Sequence, residues 1–538
     1  MTGLAIVLAA AVVGLGLAEV LRLPSIPVLI VAGVVTGLLG VFPDSGQLQD
    51  FLLLGLTFLV FEAGTELNPA RIGDQKMAAV RVGLSQFVLI GAIGLGCAAA
   101  VGLDRLQGLY IGLAVAASST LIVVRLLQQR QQFYEPFGRL VLGVLLIQDV
   151  LVIFFISVLT HSGEGVFQMG VALAATIGLV GLAWLFMRHI TPYLLLKLSM
   201  DEETLLLCVL AILFMFVGLS HLSGLALVVG AFLGGVSLSN FPVNGLIKGQ
   251  LLSLASFFRS LFFVTLGATL QLPGGFDLLL AALLIALVVL LTPPLVTLIS
   301  EREGLSARAG IEGGLLLSQT SEFSIVVALV GLEQGHIREG LLAVIALVTV
   351  VTMILTPLLA THRMTWKLMK LHPSRRSSLT QEAPSDHMLL IGCGESGRAL
   401  LDGLSSLPLT LLVLDDDPVV VSQIKQLGVS AMRGNGADYV VLKAAGAPTA
   451  RAILSTMTRL KDNESVLKFA RGTRVIVRVF DESEAERIRQ RGGVPVMYSH
   501  AAVEEFMRWF DHEFDAVTRE RRPLTSVPPL PAPSPVLE

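Results

Sequence analysis

Between residues 3 and 361 the chain alternates long apolar runs with short polar interruptions, and after residue 363 that rhythm stops. A helix rises 1.5 Å per residue, so roughly 20 apolar residues cross a hydrocarbon core of about 30 Å. Runs of that length fall at 3–21, 25–43, 49–67, 78–101, 108–127, 138–160, 167–188, 203–220, 222–240, 250–271, 276–299, 307–333 and 338–361. The pattern predicts an α-helical polytopic domain of about thirteen transmembrane helices, the junction "GLSHLSGLA" being very short. Farther on, charged residues become frequent and short apolar strands alternate with helical stretches. The expected organisation is a membrane domain at 1–362, a linker at 363–386, an α/β domain at 387–512 and a Pro-rich disordered tail at 513–538.

Composition agrees with this reading. Hydrophobic residues make up 54% of the 538, and the mean hydropathy of +0.78 exceeds that of soluble proteins. A net charge of −3 gives no reason to expect nucleic acid as a partner. Cys97, Cys208 and Cys393 are far apart and form neither a metal-ligand spacing nor a disulfide framework. The N-terminal apolar run lacks a basic n-region and reads as the first span. Basic residues collect in alternate connections, among them Arg22, Arg71, Lys76, Arg130, Lys197 and Lys248, whereas "FPDSGQLQD", "HSGEG" and "LPGGFD" hold none. That asymmetry predicts an N-terminus outside and a cytoplasmic C-terminal domain.

The candidate chemistry lies in polar residues set inside apolar runs. Asp149, with Gln148 beside it, stands near the middle of "VLGVLLIQDVLVIFFISVL", and a charge at that depth costs roughly 2.5–3.5 kcal/mol on insertion scales. The fifth run carries Ser118, Ser119 and Thr120 in its middle, and the twelfth carries Ser318, Gln319, Thr320, Ser321 and Glu322. These runs are seven spans apart, so their helices run in opposite directions. Inverted repeats, spans 1–6 against 8–13, would place both at the midplane as crossed interrupted helices. One ion site built from spans 5, 6 and 12 follows, and Glu66, Arg259 and Glu322 need partners such a core could supply.

In the C-terminal part, an apolar strand at 387–391 enters Gly392-Cys393-Gly394-Glu395-Ser396-Gly397 and then a helical pattern. A second strand ends at Asp415, 23 residues after Gly392, with Asp416 next to it. Strand, glycine loop, helix and spaced acid together predict a Rossmann nucleotide site: the loop approaches phosphate, and Asp415 can hold ribose hydroxyls. No catalytic constellation accompanies it, so the protein is expected to be a transporter rather than an enzyme.

The stretches "LTFLVFEAGTELNP", "ASSTLIVVRLL", "GVLLIQDVLVI", "LSGLALVVGAFLGGVSLS", "FFRSLFFVTLGATL" and "LLLSQTSEFSIVVALV" occur in order, and this succession resembles the monovalent cation:proton antiporters of the Kef type. The C-terminal part resembles a regulator-of-potassium-conductance domain of the TrkA-N type. The resemblance implies that Asp149 binds K+ or Na+ and the proton alternately. The Gln-Asp pair, in place of two aspartates, implies one-for-one exchange with potassium the favoured ion. It also implies a regulatory or structural adenine nucleotide (AMP, ADP, ATP or NAD(H)), a bacterial inner-membrane location and a homodimer, and it leaves room for an ancillary subunit. In that family a Gly-Asp pair after the third strand contacts the nucleotide, and here the pair reads Gly434-Asn435. The acidic loop of the family's glutathione-gated members has no counterpart in "SNFPVNGLIKGQLLSLASFFRS". A nucleotide-gated potassium channel is the alternative reading, but no T-V-G-Y-G filter occurs.

Overall fold

A computed structural model of the chain describes residues 2–499, save 41–44, 68–75, 131, 133–135, 162–165, 194–201, 240–242, 272, 304, 306, 372–384, 406–409 and 471, together with 503 and 506–508. The chain divides into two units, Met1–His372 and Pro373–Glu538.

The first unit is helical: α1 (Thr2–Leu21), α2 (Ser25–Leu38), α3 (Ser45–Glu66), α4 (Lys76–Ala100), α5 (Arg105–Ala116), α6 (Thr120–Gln129), α7 (Pro136–Thr160) and α8 (Val166–Leu185), which runs on into a π turn. Then come α9 (Glu202–Leu222), α10 (Leu227–Val236), α11 (Val243–Thr269), α12 (Gly275–Arg302), α13 (Ala307–Leu316), α14 (Glu322–Glu333), α15 (Glu339–Leu359) and α16 (His362–Leu371). Each of the thirteen apolar runs coincides with a helix or, for the fifth and twelfth, with a pair of half-helices. Eight helical segments among the described residues are long and apolar enough by themselves to cross a membrane, counting α5 with α6 as one.

Packing sorts these helices into two bundles. One holds α1–α3 and α9–α11, and the other holds α4–α7 and α12–α15, with α8 between them against α7 and α10. Each half of the chain therefore gives three consecutive spans to each bundle, the plan of an inverted repeat. Small residues allow the closest crossings. A Cβ on Gly33 would run into the backbone of Val264, and one on Gly267 into the backbone of Ile30, so α2 and α11 meet main chain to main chain.

Local chemistry sets the ends of the half-helices. Asp104 caps α5 by accepting from the backbone N–H of Gln107 at 2.8 Å. Ser321 and Ser324 form a reciprocal capping box at the start of α14. Helix α16 occupies the first part of the predicted linker. Its apolar side chains Met364, Leu368 and Met369 pack against the core beside α13, which attaches it to the membrane unit.

The second unit is a six-stranded, wholly parallel sheet in the order β3-β2-β1-β4-β5-β6. The strands are β1 (Met388–Ile391), β2 (Leu411–Asp415), β3 (Ser430–Arg433), β4 (Ala452–Ser455), β5 (Arg474–Val479) and β6 (Val494–Met497). Leu390, Val413 and Leu454 are in register across the centre. The order reverses between β1 and β4, the switch point at which doubly wound sheets take their ligands. The predicted tail, 513–538, lies outside the described residues.

Candidate functional site: a carboxylate cleft at crossed half-helices

Helix α5 stops at Ala116 and α6 starts at Thr120, while α13 stops at Leu316 and α14 starts at Glu322. A helix end exposes backbone groups that water cannot reach in a bilayer, so other side chains must satisfy them. The polar residues of both runs do this for each other. Ser118 Oγ donates to Leu317 O at 2.9 Å, and Ser324 Oγ donates to Ala114 O at 2.5 Å. Gln319 Nε2 lies 3.4 Å from Ser119 O as donor. From α15, Thr352 Oγ1 accepts from Thr320 N at 3.1 Å and Thr356 Oγ1 donates to Ser318 O at 3.4 Å.

Gln148 belongs to the same system. Its Oε1 accepts from Ser118 N at 2.9 Å, its Nε2 donates to Gln86 Oε1, and Gln86 Nε2 in turn donates to Ala116 O at 3.3 Å. Two glutamines thus hold both sides of the first break, the last carbonyl of α5 and an amide beyond it. Gln148 is fully buried, and both ends of its amide are occupied.

Asp149 faces elsewhere. Its Oδ2 accepts from Thr120 Oγ1 at 3.1 Å, while Oδ1 is buried without a hydrogen-bond partner among the described residues. It lines a cleft with Thr120, Leu121 and Glu322 from its own bundle and Leu59, Glu62, Ala63 and Glu66 from α3. The cleft therefore lies on the seam between the bundles. Thr120 and Glu322 each open a half-helix, so the positive ends of two helix dipoles are turned toward the carboxylates. Arg259 on α11 reaches Glu62 at 3.2 Å.

The structure therefore divides the predicted set. Asp149, Thr120 and Glu322 share the cleft, whereas Ser118, Ser119, Gln319, Thr320 and Ser321 lie at the helix breaks and Gln148, inside α7, bonds to the first of them. Glu66 lines the cleft from α3, and Arg259 finds its partner in Glu62. Glu62 and Gln86 were not foreseen. Glu62 is the more readable of the two, standing four residues before Glu66 on one face of an apolar helix.

In the second unit Gly392 has φ +83°, which a side chain would oppose, and a Cβ on Gly397 would strike Gly392 O. Gly394 faces open space. Asp415 was expected to hold ribose. Its Oδ2 accepts from Cys393 N at 2.5 Å and its Oδ1 from Asp417 N at 2.8 Å, which ties β2 to the glycine loop. Burial pushes the Asp415 carboxyl above the usual range in spite of these bonds. Burial, with the Asp415 charge second, pushes the Cys393 thiol up to about 11. Ser396 Oγ accepts from Arg478 Nη1 at 2.5 Å. Asp416, half-buried, follows β2 directly, and Asn435 Oδ1 accepts from Ala437 N at 2.9 Å in the turn after β3. The side chain of Glu395 lies outside the described residues.

Two six-span halves, crossed interrupted helices and a seam cleft of carboxylates define a secondary ion transporter. The chain belongs to the sodium/hydrogen exchanger family, whose transmembrane model matches residues 7–361, and a TrkA-N domain matches residues 388–500. It is 22% identical over 526 residues to YbaL of Escherichia coli (strain K12), covering 91% of this chain and 93% of that one. It is 28% identical over 478 residues to "K(+) efflux antiporter 3, chloroplastic" of Arabidopsis thaliana, covering 79% of this chain and 60% of that relative. The sodium proton antiporter MjNhaP1 from Methanocaldococcus jannaschii shares the fold, at TM-score 0.52 and 18% identity, over 68% of this chain and 98% of that one.

Proposed function

We propose that this protein exchanges a monovalent cation for a proton, with Asp149 as the group for which the two compete. The observation that carries the reading is the buried Asp149 Oδ1, which has no hydrogen-bond partner among the described residues and belongs to the seam cleft. Ionised, Asp149 is a hard oxygen ligand beside Thr120 and Glu322; protonated, it needs no cation. One group cannot carry both, and that exclusion couples the two flows. Rocking of one bundle against the other then presents the cleft to either side. The Gln-Asp pair and the likeness to a potassium efflux antiporter favour potassium over sodium and one-for-one exchange.

The second unit, in this reading, is a cytoplasmic regulator that takes an adenine nucleotide at the Gly392–Gly397 loop. The chain forms a homodimer in a bacterial inner membrane. The test uses the purified full-length protein in proteoliposomes. An imposed potassium or sodium gradient drives protons the other way, and Asp149→Asn abolishes this. Cation flux with no proton counterflow would favour a channel and sink the proposal. One-for-one exchange also predicts a rate indifferent to membrane potential, which would otherwise contribute about 2.3 kcal/mol per charge per 100 mV.

A further inference from the structure

His161 follows the last turn of α7 and is 8% exposed. Its ring touches a main-chain carbonyl at each nitrogen: Nδ1 lies 3.1 Å from Ser157 O, one turn back on α7, and Nε2 lies 3.1 Å from Gly224 O, between α9 and α10. Carbonyl oxygens only accept. A neutral imidazole offers one N–H and one lone pair, so it can satisfy one carbonyl and must turn a lone pair toward the other. Only the doubly protonated ring donates to both.

The two carbonyls belong to different bundles. Ser157 travels with α7, whereas Gly224 sits in the turn that joins α9 to α10. That turn is held firmly: Gly224 has φ +74°, Leu225 N donates to Ser220 O at 2.9 Å, and Ser220 Oγ donates to Ala226 O at 2.9 Å. Its carbonyl therefore has a fixed direction. By the alternation of the helices, the Gln271 side chain after α11 and Glu339 at the start of α15 lie at the same end of the unit, and Gln271 Nε2 donates to Glu339 across the same seam. Two polar bridges thus cross the seam at this end.

We infer that His161 is a proton-operated latch: the charged ring pins α7 to the α9–α10 turn, and loss of one proton releases the turn. The neutral ring can keep only one of the two bonds, and the latch requires that it be the one to Ser157 on its own helix. Of the helices packed against α7, α5 opens at this end with Asp104 and Arg105, and α14 ends there with Glu333. Neither α8 nor α10 carries an ionisable residue within Val166–Leu185 or Leu227–Val236. Exposed His221 lies in the last turn of α9, three residues before Gly224, and Asp149 lies twelve residues back along α7. Glu164 lies outside the described residues.

The inference rests on the exchange reading for its kinetic consequence, but its structural consequence can be tested separately. Proton competition at Asp149 raises the KM for the cation and is overcome by saturating cation. A latch instead limits the maximal rate and is not overcome. In proteoliposomes of the full-length protein at saturating potassium, acidifying the face that carries His161 should lower the maximal rate several-fold. His161→Gln should lose that fall and keep the rise in KM. An unchanged fall in His161→Gln overturns the latch, whereas absence of any exchange in the wild type counts against the exchange reading alone. Hydrogen exchange of residues 220–226 in the unmodified protein needs no variant. After correction for intrinsic rates, protection should increase as pH falls, and protection that stays constant on acidification overturns the inference.

Discussion

The double-glutamine bridge gives the sharpest test of how this site is built. Replacing Gln148 with Leu leaves Ser118 N–H and Gln86 Oε1 buried without their partner. Each orphaned buried group costs about 1–3 kcal/mol, so the variant should lose about 2–6 kcal/mol of stability. Gln86→Leu orphans Gln148 Nε2 and Ala116 O, also two groups, and Gln86 is not among the residues that line the cleft. The two substitutions should therefore be similar in effect. The double variant should be less destabilised than their sum, because the bond between the glutamines is lost only once. The assay is denaturant or thermal unfolding of the detergent-purified protein for the wild type, both single variants and the double, with cation-dependent proton flux measured alongside. If Gln148 were an ion ligand instead, Gln148→Leu would change cation preference with little loss of stability, and Gln86→Leu would leave exchange untouched. That outcome would refute the bridging role.

Three further outcomes are expected. Arg259→Gln leaves Glu62 in the cleft without its ion pair and should slow exchange at least tenfold, with partial recovery in Glu62→Gln/Arg259→Gln; no recovery would mean that Arg259 acts elsewhere. Gly33→Val drives a side chain into the backbone of α11 and should lower the unfolding midpoint or prevent assembly, as read by size-exclusion chromatography; an unchanged midpoint would refute the close crossing. Cys393, with its thiol pushed up to about 11, should resist iodoacetamide at pH 8, where roughly one thiol in a thousand is ionised, and should react only after unfolding; rapid alkylation of the folded domain would contradict its burial.

The sequence by itself determined the elements and the most costly residue. Apolar runs of span length mark helices because the bilayer offers the backbone no water, and each run coincides with a helix or a pair of half-helices. Ser118–Thr120 and Ser318–Glu322 mark the breaks for a related reason: polar side chains in an apolar run are tolerated where backbone groups need partners. Asp149 was legible because an ionisable group at that depth is expensive. The strand, glycine loop and second strand of the Rossmann unit were legible because φ at Gly392 and the closeness of Gly397 to the loop backbone demand glycine locally.

Only the tertiary structure decided who meets whom. Ser118 bonds a carbonyl 199 residues away and Gln148 bonds a glutamine 62 residues away, and no local pattern encodes either choice. In the sequence, Gln148 and Asp149 are neighbours and look like one site. On a helix, adjacent residues point about 100° apart, so one turns into the break and the other into the cleft. Asp415 shows the same limit, since its spacing fits a ribose ligand while its position at the end of β2 puts both oxygens against backbone N–H groups. Residue type and period fix what a segment can become, whereas the role of a polar side chain depends on which unsatisfied group the packed fold brings within reach.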